Sequence, residues 1–260
     1  MTGAAGTNGG GHDRAKLAAA RAAVALVRDG MRLGLGTGST ASIMVEVLAD
    51  RVRSEGLTLR CAATSQATAD LARSLGLAVE SLDAIGWLDM TIDGADEVDP
   101  HLALIKGGGA AHLREKIVAT ASDVMVVIAD PGKVVEDLGA FKLPVEVIGF
   151  GWQTTQLLVR RALDRLGYPE APVARRMRGA APVLTDEGNF ILDLALDRIT
   201  DAPALAHALA AIPGVVEHGL FLGICDLAII GRPDGTVVEM RRWDEDDCGD
   251  PLFGEGEAEI

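Results

Sequence analysis

Short apolar runs that each give way to a longer amphipathic run constrain this chain more than any other feature. Residues 31–36, 57–63, 87–92 and 124–128 are such runs, 78–82 and 102–105 are briefer ones, and helix-like segments of roughly ten or more residues lie between most of them. Short strands alternating with helices fold as a mainly parallel sheet covered on both faces. The run 124–128 is wholly apolar, which places it centrally in that sheet. A helix is expected over 13–29, stopped by Gly30.

From about Phe141 the rhythm changes. A strand at 145–148, a helix at 153–166, a strand-like stretch at 173–184 broken at Gly179, a strand at 189–194, a helix at 202–211 and a strand at 215–218 follow one another. That β-α-β-β-α-β order is a split, ferredoxin-like unit and implies a smaller inserted α+β domain. Two last strands, 226–231 and 236–241, are joined at Pro233–Asp234–Gly235 and return to the first domain. The expected division is therefore 13–140 with 217–242 for the larger domain and 141–216 for the smaller. Residues 1–12 and 243–260 are expected to be flexible ends, the first glycine-rich and the second acidic.

Charge narrows the function classes. The net charge is −14, and eight acids without a base follow Trp243, so the body carries about −6. Such a balance disfavours nucleic acid and anionic membranes as partners. No 18-residue uncharged span and no basic-then-apolar start is present, so a cytoplasmic protein is expected. Three scattered cysteines make neither a disulfide framework nor a zinc site, and none of the five histidines stands in a metal pair.

Chemistry-bearing residues gather at turns. Lys106, Gly107, Gly108 and Gly109 join a short strand to a helix that carries Glu115. Glycines there admit close approach and expose amides, the lysine adds a full charge, and the helix start is expected to keep Glu115 ionised. These groups suit polarising an oxygen while a proton is removed; a tight turn with a surface Lys and Glu is the alternative. Gly34, Gly36, Thr37, Gly38, Ser39 and Thr40 open another helix with neither Walker nor dinucleotide spacing. A monophosphate cradle fits them, as does a plain structural turn.

Asp93, Gly94, Ala95, Asp96, Glu97 and Asp99 follow strand 87–92. A divalent-metal site, hydrogen bonding to sugar hydroxyls, or an acidic surface loop would each use such a run. Lys133 follows strand 124–128, and Lys16 lies in the first turn of the first helix. Taken singly these lysines mean little. That the cradle, the acids, the Lys106 stretch and Lys133 all fall at strand carboxyl ends points to one site on one edge of the sheet.

With those stretches in place, the chain resembles the A-type ribose-5-phosphate isomerases from about Lys16 to Arg241. The resemblance rests on Gly-Thr-Gly-Ser-Thr at 36–40, Thr-Ser at 64–65, Asp-Gly-Ala-Asp-Glu at 93–97, Lys-Gly-Gly-Gly-Ala-Ala at 106–111 with Arg-Glu at 114–115, Ala-Asp-x-x-Lys at 129–133 and Leu-Pro-Val-Glu-Val at 143–147. It implies a Rossmann-like domain carrying a smaller α+β domain, in homodimers or homotetramers. It also implies interconversion of ribose 5-phosphate and ribulose 5-phosphate, a step of the non-oxidative pentose phosphate pathway, with no metal and no cofactor. Residue by residue, Glu115 matches the proton-transferring base, Lys106 the lysine near the reacting oxygens, and Asp93 and Asp96 the sugar-binding carboxylates, Asp93 aiding ring opening. Lys16, Ser39 and Thr40 match phosphate ligands, and Lys133 a substrate lysine. Thr37, Gly38, Gly94, Ala95, Gly107, Gly108 and Gly109 complete the expected lining. A sugar-phosphate sensor and an amino-sugar phosphate deaminase are rival readings.

Overall fold

The computed structural model describes residues 8–242. In chain order the elements are α1 (Asn8–Ala25), β1 (Arg32–Leu35), α2 (Ser39–Glu55), β2 (Arg60–Ala63), α3 (Gln66–Ser74), the single turn α4 (Leu82–Ile85), β3 (Met90–Gly94), β4 (Glu97–Val98), β5 (Leu104–Ile105), α5 (His112–Thr120) and β6 (Met125–Ala129). A 3₁₀ turn, Pro131–Lys133, leads to β7 (Leu143–Val147), α6 (Trp152–Arg165), β8 (Val173–Arg175), β9 (Met177–Arg178), β10 (Ala181–Pro182), β11 (Phe190–Leu194), α7 (Ala202–Ala210), β12 (Val215–His218), β13 (Leu220–Phe221), β14 (Leu227–Gly231) and β15 (Val237–Arg241).

Six strands form the main sheet in the order β15-β14-β6-β3-β1-β2, all neighbours parallel except the β14–β15 pair at one edge. Successive side chains of β6 point to opposite faces, and the core divides accordingly. Val126 and Ile128 pack with Leu33, Leu35 and Ile92 under α1 and α2. Met125 and Val127 pack on the other face with Leu104, Ala119 and Phe221. A covered, mainly parallel α/β sheet is therefore what the alternation of short runs produces.

A second sheet, β12-β7-β11-β8, is antiparallel throughout and carries α6 and α7 over a core of Leu143, Val145, Val159, Leu163, Leu192 and Leu205. This is the strand order of a split β-α-β unit. The stretch after β8 bends away into the separate β9–β10 hairpin, so of the expected 173–184 strand 173–175 joins the sheet as a strand and Leu184 returns to it through a single bridge to Phe190. Strand β12 runs to His218, two residues past the expected boundary at 216.

Three local expectations are corrected. Helix α1 begins at Asn8, so residues 8–12 are helical rather than a flexible leader; the flexible-end expectation for 1–7 and 243–260 lies outside the described residues. The strand expected at 78–82 is reduced to a single bridge between Cys61 and Val79, because Ser81 caps the turn α4 through its hydroxyl and the Ala84 amide. The strand expected from Trp87 starts at Met90; Trp87 is half exposed, its indole N–H on Asp123.

The seam between β1 and β3 is set by glycine. A Cβ on Gly36 would stand 2.0 Å from Asp93 Oδ1 and 2.5 Å from Asp93 Cα, so the two chains can approach only without one. Gly36→Ala is expected to push β1 off β3 and turn Asp93 out of place, costing about 1–3 kcal/mol of stability and most of the activity, read by thermal melting alongside an assay.

Candidate active site

From β1 the chain passes through α2 to β2 on one side, then returns to β3 on the other. The crevice beyond the carboxyl ends of β1 and β3 is thus the switch point of the sheet, where open α/β sheets place ligands. A cleft of about 150 Å³ lies there. It is smaller than the roughly 300–1,000 Å³ of drug-sized pockets and suits a small metabolite.

Every site residue expected from sequence except Asp93 lines this cleft: Lys16, Thr37–Thr40, Gly94–Asp96, Lys106–Gly109, Glu115 and Lys133. Asp93 lies beneath it, fully buried and ion-paired to Lys106.

One wall is an anion cradle. Gly38 sits at φ 112° before α2, and no side chain caps that helix, which leaves its first-turn amides and its positive end for a ligand. Lys16 reaches across from α1, its ammonium 3.0 Å from Ser39 Oγ. Thr37, by contrast, is already engaged. Its amide donates to Asp93 Oδ1 at 3.0 Å, and its hydroxyl lies 2.7 Å from Thr64 Oγ1 and 2.8 Å from Ser65 Oγ. It braces the loop rather than offering a free donor.

The opposite wall is a buried charge cluster. Lys106 Nζ stands 3.0 Å from Asp93 Oδ2 and 3.4 Å from Glu115 Oε1, and also donates to the Gly94 carbonyl. Asp93 is further satisfied by the Thr37 and Gly94 amides on Oδ1. Glu115 has no such help: its Oε2 is buried without a hydrogen-bond partner among the described residues.

Burial pushes the Glu115 carboxyl up to about 8, with Lys106 pulling the other way and Asp93 and Asp96 adding to the rise. Burial raises Asp93 too, opposed by Lys106 and by the amides. For Lys106 burial acts downward, but Asp93, Glu115 and Asp96 outweigh it and hold the ammonium charged. The expectation that the helix start keeps Glu115 ionised is thus corrected. A helix N-terminus is worth about 0.3–1 kcal/mol, less than one pKa unit, and desolvation is larger.

The three acids after β3 diverge. Asp96 lines the cleft and accepts the Gly108 amide at 2.7 Å. Glu97 is buried on the Gly139 and Phe141 amides, and Asp99 closes a turn on His101 and Ala103. Among the described residues no three His, Cys, Asp or Glu side chains converge as metal ligands.

Some contributors carry no motif. Arg176, just beyond β8 of the second sheet, donates to the Gly107 carbonyl. His112 is fully buried with its ring against Gly107, and burial pushes its imidazole down to about 3, so it is neutral. The separation of 69 residues between Arg176 and Gly107 hides that contact from any local pattern.

Fold and cleft together define a class: an α/β protein whose sheet switch point holds an anion cradle facing an internal lysine–carboxylate cluster. The chain belongs to the ribose 5-phosphate isomerase A (phosphoriboisomerase A) family, whose profile matches residues 60–235. A ribose-5-phosphate isomerase A of Jannaschia sp. (strain CCS1) is 60% identical over 225 residues, 86% of each chain. The solved ribose 5-phosphate isomerase from Plasmodium falciparum aligns with a TM-score of 0.82 at 33% identity, covering 88% of this chain and 98% of that one. A D-ribose-5-phosphate isomerase in complex with phospho-erythronic acid gives 0.81 and 34%, covering 89% and 99%.

Proposed function

We propose that this protein interconverts D-ribose 5-phosphate and D-ribulose 5-phosphate through an enediolate, with Glu115 moving the proton. Family membership supports the reaction. The observation that carries the residue roles is the unpartnered, buried Glu115 Oε2, held beside Lys106 in the cleft that also contains the Lys16–Ser39 cradle.

The chemistry follows from that layout. The cradle takes the phosphate, and its binding energy holds the sugar with C1 and C2 at the far wall. Ionised Glu115 removes the C2 proton and the C1 carbonyl electrons move onto O1. The same carboxyl then returns the proton to C1, while the O2 hydroxyl proton passes to O1 and leaves a C2 carbonyl. No net proton is gained or lost. Lys106 and the Gly109 amide carry the developing oxyanion, and Asp93, buried beneath the cleft and out of reach of the sugar ring it was expected to help open, holds Lys106 in place. Asp96 binds sugar hydroxyls, and Lys133 is a further substrate-binding group. The ligand of the related structure, a four-carbon phosphorylated acid, is of the size and charge this arrangement would hold.

Residues 141–216 act as the smaller domain on the Rossmann-like remainder, and the enzyme works in the cytoplasm as a homodimer or homotetramer with no nucleic-acid partner. No described helix is long and apolar enough to cross a membrane.

Purified, metal-stripped protein is expected to form ribulose 5-phosphate from ribose 5-phosphate in a coupled assay; no product would sink the reading. Lys16→Ala and Ser39→Ala are expected to raise KM by roughly tenfold with a smaller change in kcat. Unchanged KM in both would remove the phosphate assignment.

A further inference from the structure

The glycine turn that lines the cleft is held from outside its own sheet. Arg176 Nη1 donates to the Gly107 carbonyl at 2.7 Å and to the Gly108 carbonyl at 3.2 Å. The rest of its guanidinium is locked: Nε lies 3.0 Å from Asp193 Oδ2, and Nη2 lies 2.5 Å from Asp193 Oδ1, on β11. Its own amide donates to the Ile191 carbonyl at 2.8 Å, so the side chain projects from a fixed backbone.

A trans peptide is planar, and its C=O and N–H point in opposite directions. With the Gly107 carbonyl turned to Arg176, the Gly108 N–H must point the other way, and it does, onto Asp96 Oδ2 at 2.7 Å. By the same constraint the Gly108 carbonyl on Arg176 turns the Gly109 N–H away from Arg176, at a residue that lines the cleft. Within the turn only the Ala110 N–H, 3.1 Å from the Gly107 carbonyl, adds to this hold, and the backbone is unusual: Gly107 sits at φ 106° and Ala110 at φ 64°, a conformation that costs a non-glycine residue energy unless its surroundings impose it. A cation on the two carbonyls also polarises both peptides and strengthens their N–H groups as donors.

We propose that Arg176, anchored by Asp193, is a positioning residue for the isomerisation: it fixes the Gly107–Gly108 plane, whose N–H holds Asp96, and the Gly108–Gly109 plane, so that the turn meets the enediolate oxygens with Asp96 in place and the Gly109 amide oriented. The proposal rests on the isomerase reading and deepens it, because it makes the smaller sheet a working part of the site.

The test compares Arg176→Ala, Arg176→Lys and Asp193→Asn with the wild type on ribose 5-phosphate, with melting temperatures measured on each. Arg176→Ala is expected to lower kcat by roughly 10–100-fold, a weakened rather than deleted oxyanion donor, while KM stays within about threefold because the phosphate cradle is untouched. Free guanidinium, far below denaturing concentrations, is expected to restore part of kcat in Arg176→Ala and to do nothing for the wild type. Arg176→Lys, which keeps the charge but not the fork, is expected to fall between them. Asp193→Asn gives the same kcat-selective loss, smaller, and keeps the question answerable if Arg176→Ala does not fold. Wild-type kcat in folded Arg176→Ala overturns the proposal, and so does a loss that follows the melting temperature in all three variants with no rescue by guanidinium. A wild type without turnover overturns the isomerase reading and this inference with it; an active wild type beside an unaffected Arg176→Ala overturns this inference alone.

Discussion

Glu115→Gln cuts turnover of ribose 5-phosphate by at least about a hundredfold and leaves substrate affinity within about threefold. The amide fills the same space beside Lys106 but cannot accept the C2 proton. The companion effect is on stability, and its sign is opposite. A carboxyl whose pKa rises from 4.5 unfolded to about 8 folded binds its proton more tightly in the native state, so the wild type loses stability as pH climbs through that interval. Gln mimics the protonated form and does not titrate. The variant should therefore melt above the wild type at pH 8, by an amount on the order of 3–5 kcal/mol in free energy, with the two converging near pH 4.5. The wild type's kcat/KM is expected to rise with pH through an apparent pKa near 8, since only ionised Glu115 can start the reaction. An ascending limb near the ordinary carboxylate range would contradict the burial argument.

Lys106→Met removes the one cation between two buried carboxyls. Loss of an oxyanion donor commonly costs roughly 10²–10³-fold in kcat. The loss in stability should be as evident: deleting one partner of a buried ion pair costs about 3–5 kcal/mol. Because Lys106 lowers both Asp93 and Glu115, its removal raises both further. The penalty thus grows as pH climbs through the raised folded carboxyl values, for Glu115 about 8, and shrinks at lower pH, where both carboxyls are neutral. Melting Lys106→Met and the wild type across pH checks this; a pH-independent difference would mean that Lys106 acts through packing alone.

Much of the site could be read from the chain because it is built from turns. Thr37–Thr40, Asp93–Asp96, Lys106–Gly109 and Lys133 all fall at or just beyond strand ends, and the order of parallel strands brings such segments to one edge. Period-two and helical patterns carry that much without coordinates. What sequence could not carry is depth. Asp93, Glu97 and Asp99 look alike in the chain, yet Asp93 is buried under Lys106, Glu97 holds two distant amides and Asp99 closes its own turn. The Glu115 expectation failed for the same reason: a local dipole is visible in sequence, and desolvation by burial is not. Arg176 went unnoticed because a lone arginine between two short strands has no pattern. Only the pairing of β8 with β11 aims it at Gly107. The expected strand at 78–82 failed on a competing signal, the Ser81 cap, which local apolarity outweighed.

The central claim is that one buried carboxyl carries hydrogen between neighbouring carbons of a phosphorylated pentose. Isomerisation in D₂O, followed by NMR at C1 of the ribulose 5-phosphate formed, tests it most directly. Deuterium is expected to enter C1 with wild-type turnover and to disappear with Glu115→Gln while ribose 5-phosphate still binds; incorporation at the wild-type rate in Glu115→Gln would contradict the account.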